Sequence, residues 1–191
     1  CEGSVTIGDE TITCSGVHGE QHIGEALANS CNVAFAEIAA ELGASTLKKY
    51  TEKAGLTDRY SVDGILTAAG SFGFDTATEG QTGWAGVGQH QDLVNPCALM
   101  VYMGAIANGG KAAVPRIVEK TVNSLGLSNP IHVTKKTGTL VSASTAERMT
   151  ELMAEAAETA YGTKRFPNME LCAKSGTAEV GEGQTPHAWF A

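Results

Sequence analysis

Lys174-Ser175-Gly176-Thr177-Ala178-Glu179, followed by His187-Ala188-Trp189-Phe190, is the stretch on which the reading of this chain turns. The apolar run Leu171-Cys172-Ala173 leads into it and predicts a buried strand that emerges at a lysine, two hydroxyls and a glycine. Glycine lets a ligand come close to the backbone, and an ammonium beside two hydroxyls suits an anionic group such as a carboxylate. With Gly181 to Pro186 as the connection, Ala188 to Ala191 predicts an antiparallel partner strand.

The second informative stretch is Ser30-Cys31-Asn32, set between two helical patterns. A short helix is expected from Ile23 to Leu27. A longer one follows, with Val33, Phe35, Ile38, Ala39 and Leu42 spaced for one buried face and Gly43 as its stop. Ser45 is expected to cap a third helix, closed by Gly55. Residues 3–14 alternate around Gly8-Asp9 and predict a β-hairpin. Residues 61–92 are rich in glycine and threonine and read as a long loop with short strands. Pro96 opens a strong helix, with Leu99, Met103, Ile106 and Ala107 along one side and Asn108-Gly109-Gly110 at its end. Pro115 to Val122 reads as extended. Ser144 or Thr145 caps a last helix whose inner face holds Met149, Leu152, Met153 and Ala156. This mix predicts an α+β fold: an antiparallel sheet flanked by helices, with a helical subdomain over about residues 20–60 carrying Ser30 and Asn32.

Bulk composition narrows the function classes. The 191 residues suffice for one domain with a real core, and 42% hydrophobic content is globular rather than disordered. Thirteen basic against 21 acidic side chains give a formal charge of -8, and no more than two Lys/Arg adjoin, which argues against a nucleic-acid partner. No apolar run reaches the length of a membrane span. The five cysteines show no CxxC spacing, and His18, His22, His90, His132 and His187 are scattered, so no metal site and no cofactor are expected. Cys1 and Cys14 lie on strand-like segments that face each other. A disulfide there and two free buried thiols are both open.

Taken in order, Ser30-Cys31-Asn32 and Lys174-Ser175-Gly176-Thr177 resemble the second and third motifs of the serine acyl-transferases that include penicillin-binding proteins. The entry from Cys14 through His18-Gly19 to Phe35 resembles the transpeptidase domain of that family. So do Gly86-Val87-Gly88-Gln89, Asn95-Pro96, Ala105 to Gly110, and the strand His187-Ala188-Trp189-Phe190. By that resemblance Ser30 helps pass a proton to the leaving amine, and Asn32 bonds the nucleophile's lysine and the substrate amide. Lys174 supplies positive charge. Ser175 and Thr177 bind a terminal carboxylate, Gly176 opens the strand to the ligand, and the Thr177 N–H forms half of an oxyanion hole.

The only S-x-x-K, Ser45-Thr46-Leu47-Lys48, follows the second motif where the family's order places it before, and Ser45 is explained as a helix cap. The nucleophile is therefore expected upstream of Cys1. Lys136-Thr137-Gly138-Thr139 mimics the third motif but reads as a solvated loop. The resemblance implies the C-terminal-side portion, residues 1–191, of a peptidoglycan D,D-transpeptidase domain with a β-lactamase-like fold, inactive alone. It further implies an extracytoplasmic parent held by an N-terminal membrane helix, with a stem peptide or a β-lactam as ligand. The missing part of the parent is an implied partner, and self-association through exposed edges is expected. A serine β-lactamase or D,D-carboxypeptidase of the same fold, and a scaffold that has lost its serine, are the alternatives.

Overall fold

The computed structural model describes residues 1–128, 134–162, 164–181 and 183–191; His132 lies outside them. The fold is α+β. The chain forms two compact units, one of residues 1–50, 71–93 and 148–191, the other of residues 51–70 and 94–147.

The first unit begins with the expected hairpin, β1 (Ser4–Ile7) and β2 (Glu10–Thr13), paired antiparallel with Val5 opposite Ile12. Gly8 takes a φ of 60° at the turn, a value that costs glycine nothing. Helices α1 (Ile23–Ala28) and α2 (Asn32–Leu42) follow, and Gly43 ends α2 with a φ of 78°. The buried face of α2 is Val33, Ala36 and Ala39, whereas Ile38 and Leu42, expected inside, are 39% and 49% exposed. The reason is a helix that the sequence does not announce. Within the span read as a loop with short strands, Glu79–Gly86 forms the helix α4 and packs against α2. Thr78 and Gln81 form a reciprocal capping box at its start.

The glycines that hide α4 from a propensity reading are what let it dock. A Cβ at Gly80 would stand 2.6 Å from the Ile7 carbonyl oxygen, and one at Gly83 2.9 Å from Ile12 Cδ1. A Cβ at Gly86 would stand 2.2 Å from the Ala39 Cβ. Each interior glycine costs a helix about 1 kcal/mol relative to alanine, and here close backbone packing offsets it. Small residues line α2 for the same reason, and the core of this unit gathers Ile7, Ile12 and Ala36 with Trp84 and Val87 against them.

Helix α3 (Ala44–Lys53) begins one residue before Ser45, so Ser45 sits in the first turn and is not the cap. In the second unit, strands β3 (Ser61–Val62) and β4 (Ile65–Leu66) form a minimal ladder. Helix α5 (Pro96–Ala107) starts as expected, with Asn95 Oδ1 accepting from Cys97 N at 2.9 Å. Its buried face is Ala98, Val101, Ala105 and Ile106, the first three packed with Tyr60, Ala112 and Leu140. The Asp63 carboxylate fastens the segment after Pro115 by accepting from Ile117 N and Val118 N at 2.6 and 2.8 Å.

Helix α6 (Ala143–Tyr161) starts just after Ser142, whose hydroxyl accepts from Thr145 N at 3.1 Å. Ser142 therefore does the capping expected of Ser144 or Thr145. Met153, Ala156 and Ala157 of α6 are buried in the first unit. Strands β5 (Ser175–Ala178) and β6 (His187–Phe190) close that unit as an antiparallel pair, with Gly176 opposite Trp189. Backbone bonds between Lys174 and Ala191 extend the ladder by one pair. Of Leu171-Cys172-Ala173, expected as a buried strand, only Ala173 is buried and none is in a strand. Among the described residues the sheet is thus three separate two-stranded ladders.

Candidate active site

Ser30, Asn32, Lys174, Ser175, Gly176 and Thr177, widely separated in sequence, all line one cleft of about 500 Å³ in the first unit. Ser15, Leu27, Cys31, Phe35, Gly86 and Val87 complete its apolar and polar walls.

One lip is the turn between α1 and α2. Ser30 N–H donates to the Leu27 carbonyl at 3.2 Å and Cys31 N–H to the Ala26 carbonyl at 2.9 Å. That bond pair is the Schellman ending of a helix, and it puts Ser30 at the position that glycine usually holds. Ser30 accordingly carries a φ of 50°, a left-handed conformation that costs an L-residue about 1–2 kcal/mol. The turn keeps a hydroxyl where backbone energetics favour no side chain. Cys31, fully buried, then caps α2 through its sulfur, which accepts from Ala34 N at 3.5 Å. Asn32 Nδ2 donates to the Thr13 carbonyl of β2 at 2.9 Å, which fixes the amide plane and orients its oxygen. The hairpin and the turn therefore hold each other.

The other lip is the start of β5. Lys174 Nζ donates to Ser30 Oγ across the cleft and to the Ser175 carbonyl at 2.7 Å. Ser175 N–H donates to the Tyr161 hydroxyl at 2.8 Å. The Tyr161 ring packs on Phe190 and Phe166 with centroids 5.5 and 6.5 Å away, tying the end of α6 to the β5–β6 ribbon. Tyr161 is a site-building residue that the sequence reading missed; its only signal is an aromatic side chain closing a helix just before Gly162. A Cβ at Gly176 would meet nothing within 4 Å, so the strand is open to a ligand there.

Chemically, the cleft offers one ammonium, four hydroxyls (Ser15, Ser30, Ser175 and Thr177) and strand backbone beside a carboxamide, a donor set for a carboxylate and an adjacent amide. Neither Ser45 nor Lys48 lines it; Lys48 Nζ instead pairs with Asp75 at 2.6 Å. Thr137 of Lys136-Thr137-Gly138 is engaged elsewhere, its hydroxyl accepting from Ala112 N at 2.9 Å.

Beside the first lip, Cys1 and Cys14 are free thiols, as are Cys31, Cys97 and Cys172. Burial opposes ionisation of the Cys14 thiol. Backbone hydrogen bonds from Val33 and Asn32, helped by Cys31 and Gly16, outweigh that, and its pKa falls below the usual thiol value.

Comparison with known proteins agrees with this geometry. The penicillin binding protein transpeptidase domain family matches residues 2–191. Peptidoglycan D,D-transpeptidase PbpA of Mycobacterium tuberculosis (strain CDC 1551 / Oshkosh) is 30% identical over 173 residues, covering 87% of this chain and 34% of that protein. The PbpA of Mycolicibacterium smegmatis is 29% identical over 177 residues, again 87% of this chain and 34% of that protein. This chain therefore spans about a third of the length of those curated relatives.

Among solved structures, the ceftriaxone acyl-enzyme complex of penicillin-binding protein A from M. tuberculosis superposes with a TM-score of 0.89 at 24% identity, over 98% of this chain and 44% of that one. The D,D-transpeptidase domain of a peptidoglycan glycosyltransferase from Eggerthella lenta gives 0.84 at 22% identity, over 99% and 49%. These two likenesses establish the fold. With the family match running almost end to end over a cleft that joins Ser30, Asn32 and Lys174, the chain belongs to the penicillin-binding protein transpeptidase domain family.

Proposed function

We propose that this chain is the C-terminal-side part of a peptidoglycan D,D-transpeptidase, which cross-links cell-wall stem peptides through an acyl-serine and is trapped by β-lactams at the same step. The observation that carries the reading is the hydrogen bond from Lys174 Nζ to Ser30 Oγ, between residues 144 apart in sequence. It joins an ammonium to a hydroxyl at the mouth of a cleft already supplied with carboxylate donors.

In this reading the nucleophilic serine and its lysine base lie upstream of Cys1. The serine attacks the acyl carbon of the penultimate residue, and the tetrahedral oxyanion rests on backbone N–H groups, one of them that of Thr177. Ser30, polarised by Lys174, relays the proton to the departing amine. Collapse of the intermediate leaves an acyl-serine, which the amine of a second stem peptide then opens. Asn32 holds the substrate amide, and Ser175 and Thr177 hold the terminal carboxylate.

The parent acts outside the cytoplasmic membrane, anchored by a helix upstream; among the described residues no helix is long and apolar enough to cross a membrane. Its partners are the stem peptide and the remainder of its own chain. The test is labelling with a fluorescent penicillin. A longer protein carrying an upstream S-x-x-K reacts covalently, whereas residues 1–191 alone stay unlabelled. Labelling of the isolated chain at Ser45 contradicts the assignment.

A further inference from the structure

Behind the Ser30–Asn32 lip, Cys1, Cys14, His18 and the cleft-lining Cys31 bring three sulfurs and one imidazole nitrogen together, all within 4.8 Å of one another. Cys14 Sγ lies 3.9 Å from Cys31 Sγ and 3.5 Å from His18 Nδ1. A tetrahedral zinc with Zn–S of about 2.3 Å and Zn–N of about 2.0–2.1 Å sets ligand atoms roughly 3.8 Å (S to S) and 3.6 Å (S to N) apart. The two measured separations fall on those values. A disulfide instead needs sulfurs about 2.05 Å apart and would pair only two of the three, leaving one thiol and the histidine unexplained.

The surroundings favour anionic sulfur. The Ala34 N–H in the first turn of α2 donates to Cys31 Sγ at 3.5 Å. Such a bond from an orphan donor at the start of a helix suits a thiolate. The backbone also fixes the ligands: Cys14 N–H donates to the Gly3 carbonyl at 2.8 Å, and Gly19 N–H to that of Cys1 at 3.0 Å.

We propose that Cys1, Cys14, His18 and Cys31 form a structural zinc site of three thiolates and one imidazole. The expectation of no metal rested on linear spacing, and here the ligands converge through the hairpin and the α1–α2 turn instead. Binding forms four dative bonds and releases the thiol protons to solvent, with no change of oxidation state. Four protein ligands close the coordination shell, so the ion takes no part in acyl transfer. Its work is mechanical. Cys31 is the middle residue of Ser30-Cys31-Asn32, so the ion ties the strained turn to the hairpin. The inference does not depend on the transpeptidase reading.

The test is metal analysis of the purified, reduced chain. About one zinc per chain is expected, and cobalt substitution gives the thiolate charge-transfer absorption of a tetrahedral site. Cys31→Ser and His18→Ala weaken zinc at least about 10- to 100-fold, the loss seen even when a group that only orients a ligand is removed. Cys97→Ser and Cys172→Ser leave the stoichiometry unchanged. His18→Cys guards against simple misfolding: it retains the metal as an all-thiolate site with an altered cobalt spectrum. Substoichiometric zinc, a cobalt spectrum without thiolate character, or a metal-free chain with a disulfide among these cysteines overturns the proposal.

Discussion

The two lips of the cleft are built in opposite ways. The Ser30–Asn32 lip sits at a Schellman turn, is capped on both sides, and is backed by a hairpin and a glycine-faced helix packed at backbone contact. The Lys174–Thr177 lip is a two-stranded ribbon whose support comes from one side only, through Tyr161 and its aromatic neighbours. The first lip stores strain because its surroundings over-determine it. The second presents backbone because little covers it. One wall thus holds a hydroxyl rigidly, and the other leaves a strand edge open beside it.

The largest effect should come from filling the packing behind the first lip. Gly86→Ala gains about 1 kcal/mol of helix propensity but drives a methyl into Ala39, so a net loss of about 2 kcal/mol is expected in urea unfolding. The matching change in the second lip, Gly176→Ala, should leave stability within about 0.5 kcal/mol, because the added methyl meets open space. Equal losses would erase the contrast.

Tyr161→Phe comes next. It keeps the ring contacts and removes the acceptor for Ser175 N–H, with about 1 kcal/mol expected, read as faster amide exchange confined to β5 and β6. Exchange that rises equally around Ser30 would show the lips to be one cooperative unit. Ser30→Gly, of similar or smaller size and opposite sign, should stabilise the chain by up to about 1 kcal/mol by relieving the left-handed strain.

Titration sharpens the picture of the first unit. Asp92 has a buried Oδ1 without a partner among the described residues, and burial raises its pKa from 3.8 to about 7. The folded state therefore holds a proton that the unfolded state releases near pH 4. The associated stability is full below that point, declines as pH rises, and is gone above about 7. Asp92→Asn should flatten this part of the profile in unfolding measured between pH 4 and 8.

How much of this the sequence discloses depends on whether neighbours in the chain carry the signal. Ser30, Asn32 and Lys174 stand out because each sits in a short motif at an element boundary, and boundaries show through caps and glycines. The hairpin at Gly8-Asp9 and the Asn95-Pro96 helix start were legible for the same reason. Helix α4 was not, because Gly80, Gly83 and Gly86 read as a loop until β1, β2 and α2 are placed against them. The outward Ile38 and Leu42 follow from that omission, since a glycine-faced partner selects the alanine stripe of α2. Tyr161 and the cysteine–histidine cluster are matters of tertiary convergence, and no local period reports them.

The central claim is that Lys174 and Ser30 act as one unit across the cleft. The direct measurement is the penicillin acylation rate of the longer parent protein as a double-mutant cycle of Ser30→Ala and Lys174→Ala. Each single change is expected to slow acylation by about 100-fold, and the double change by little more than either alone. Strictly multiplicative losses, or acylation indifferent to Lys174, would contradict the account.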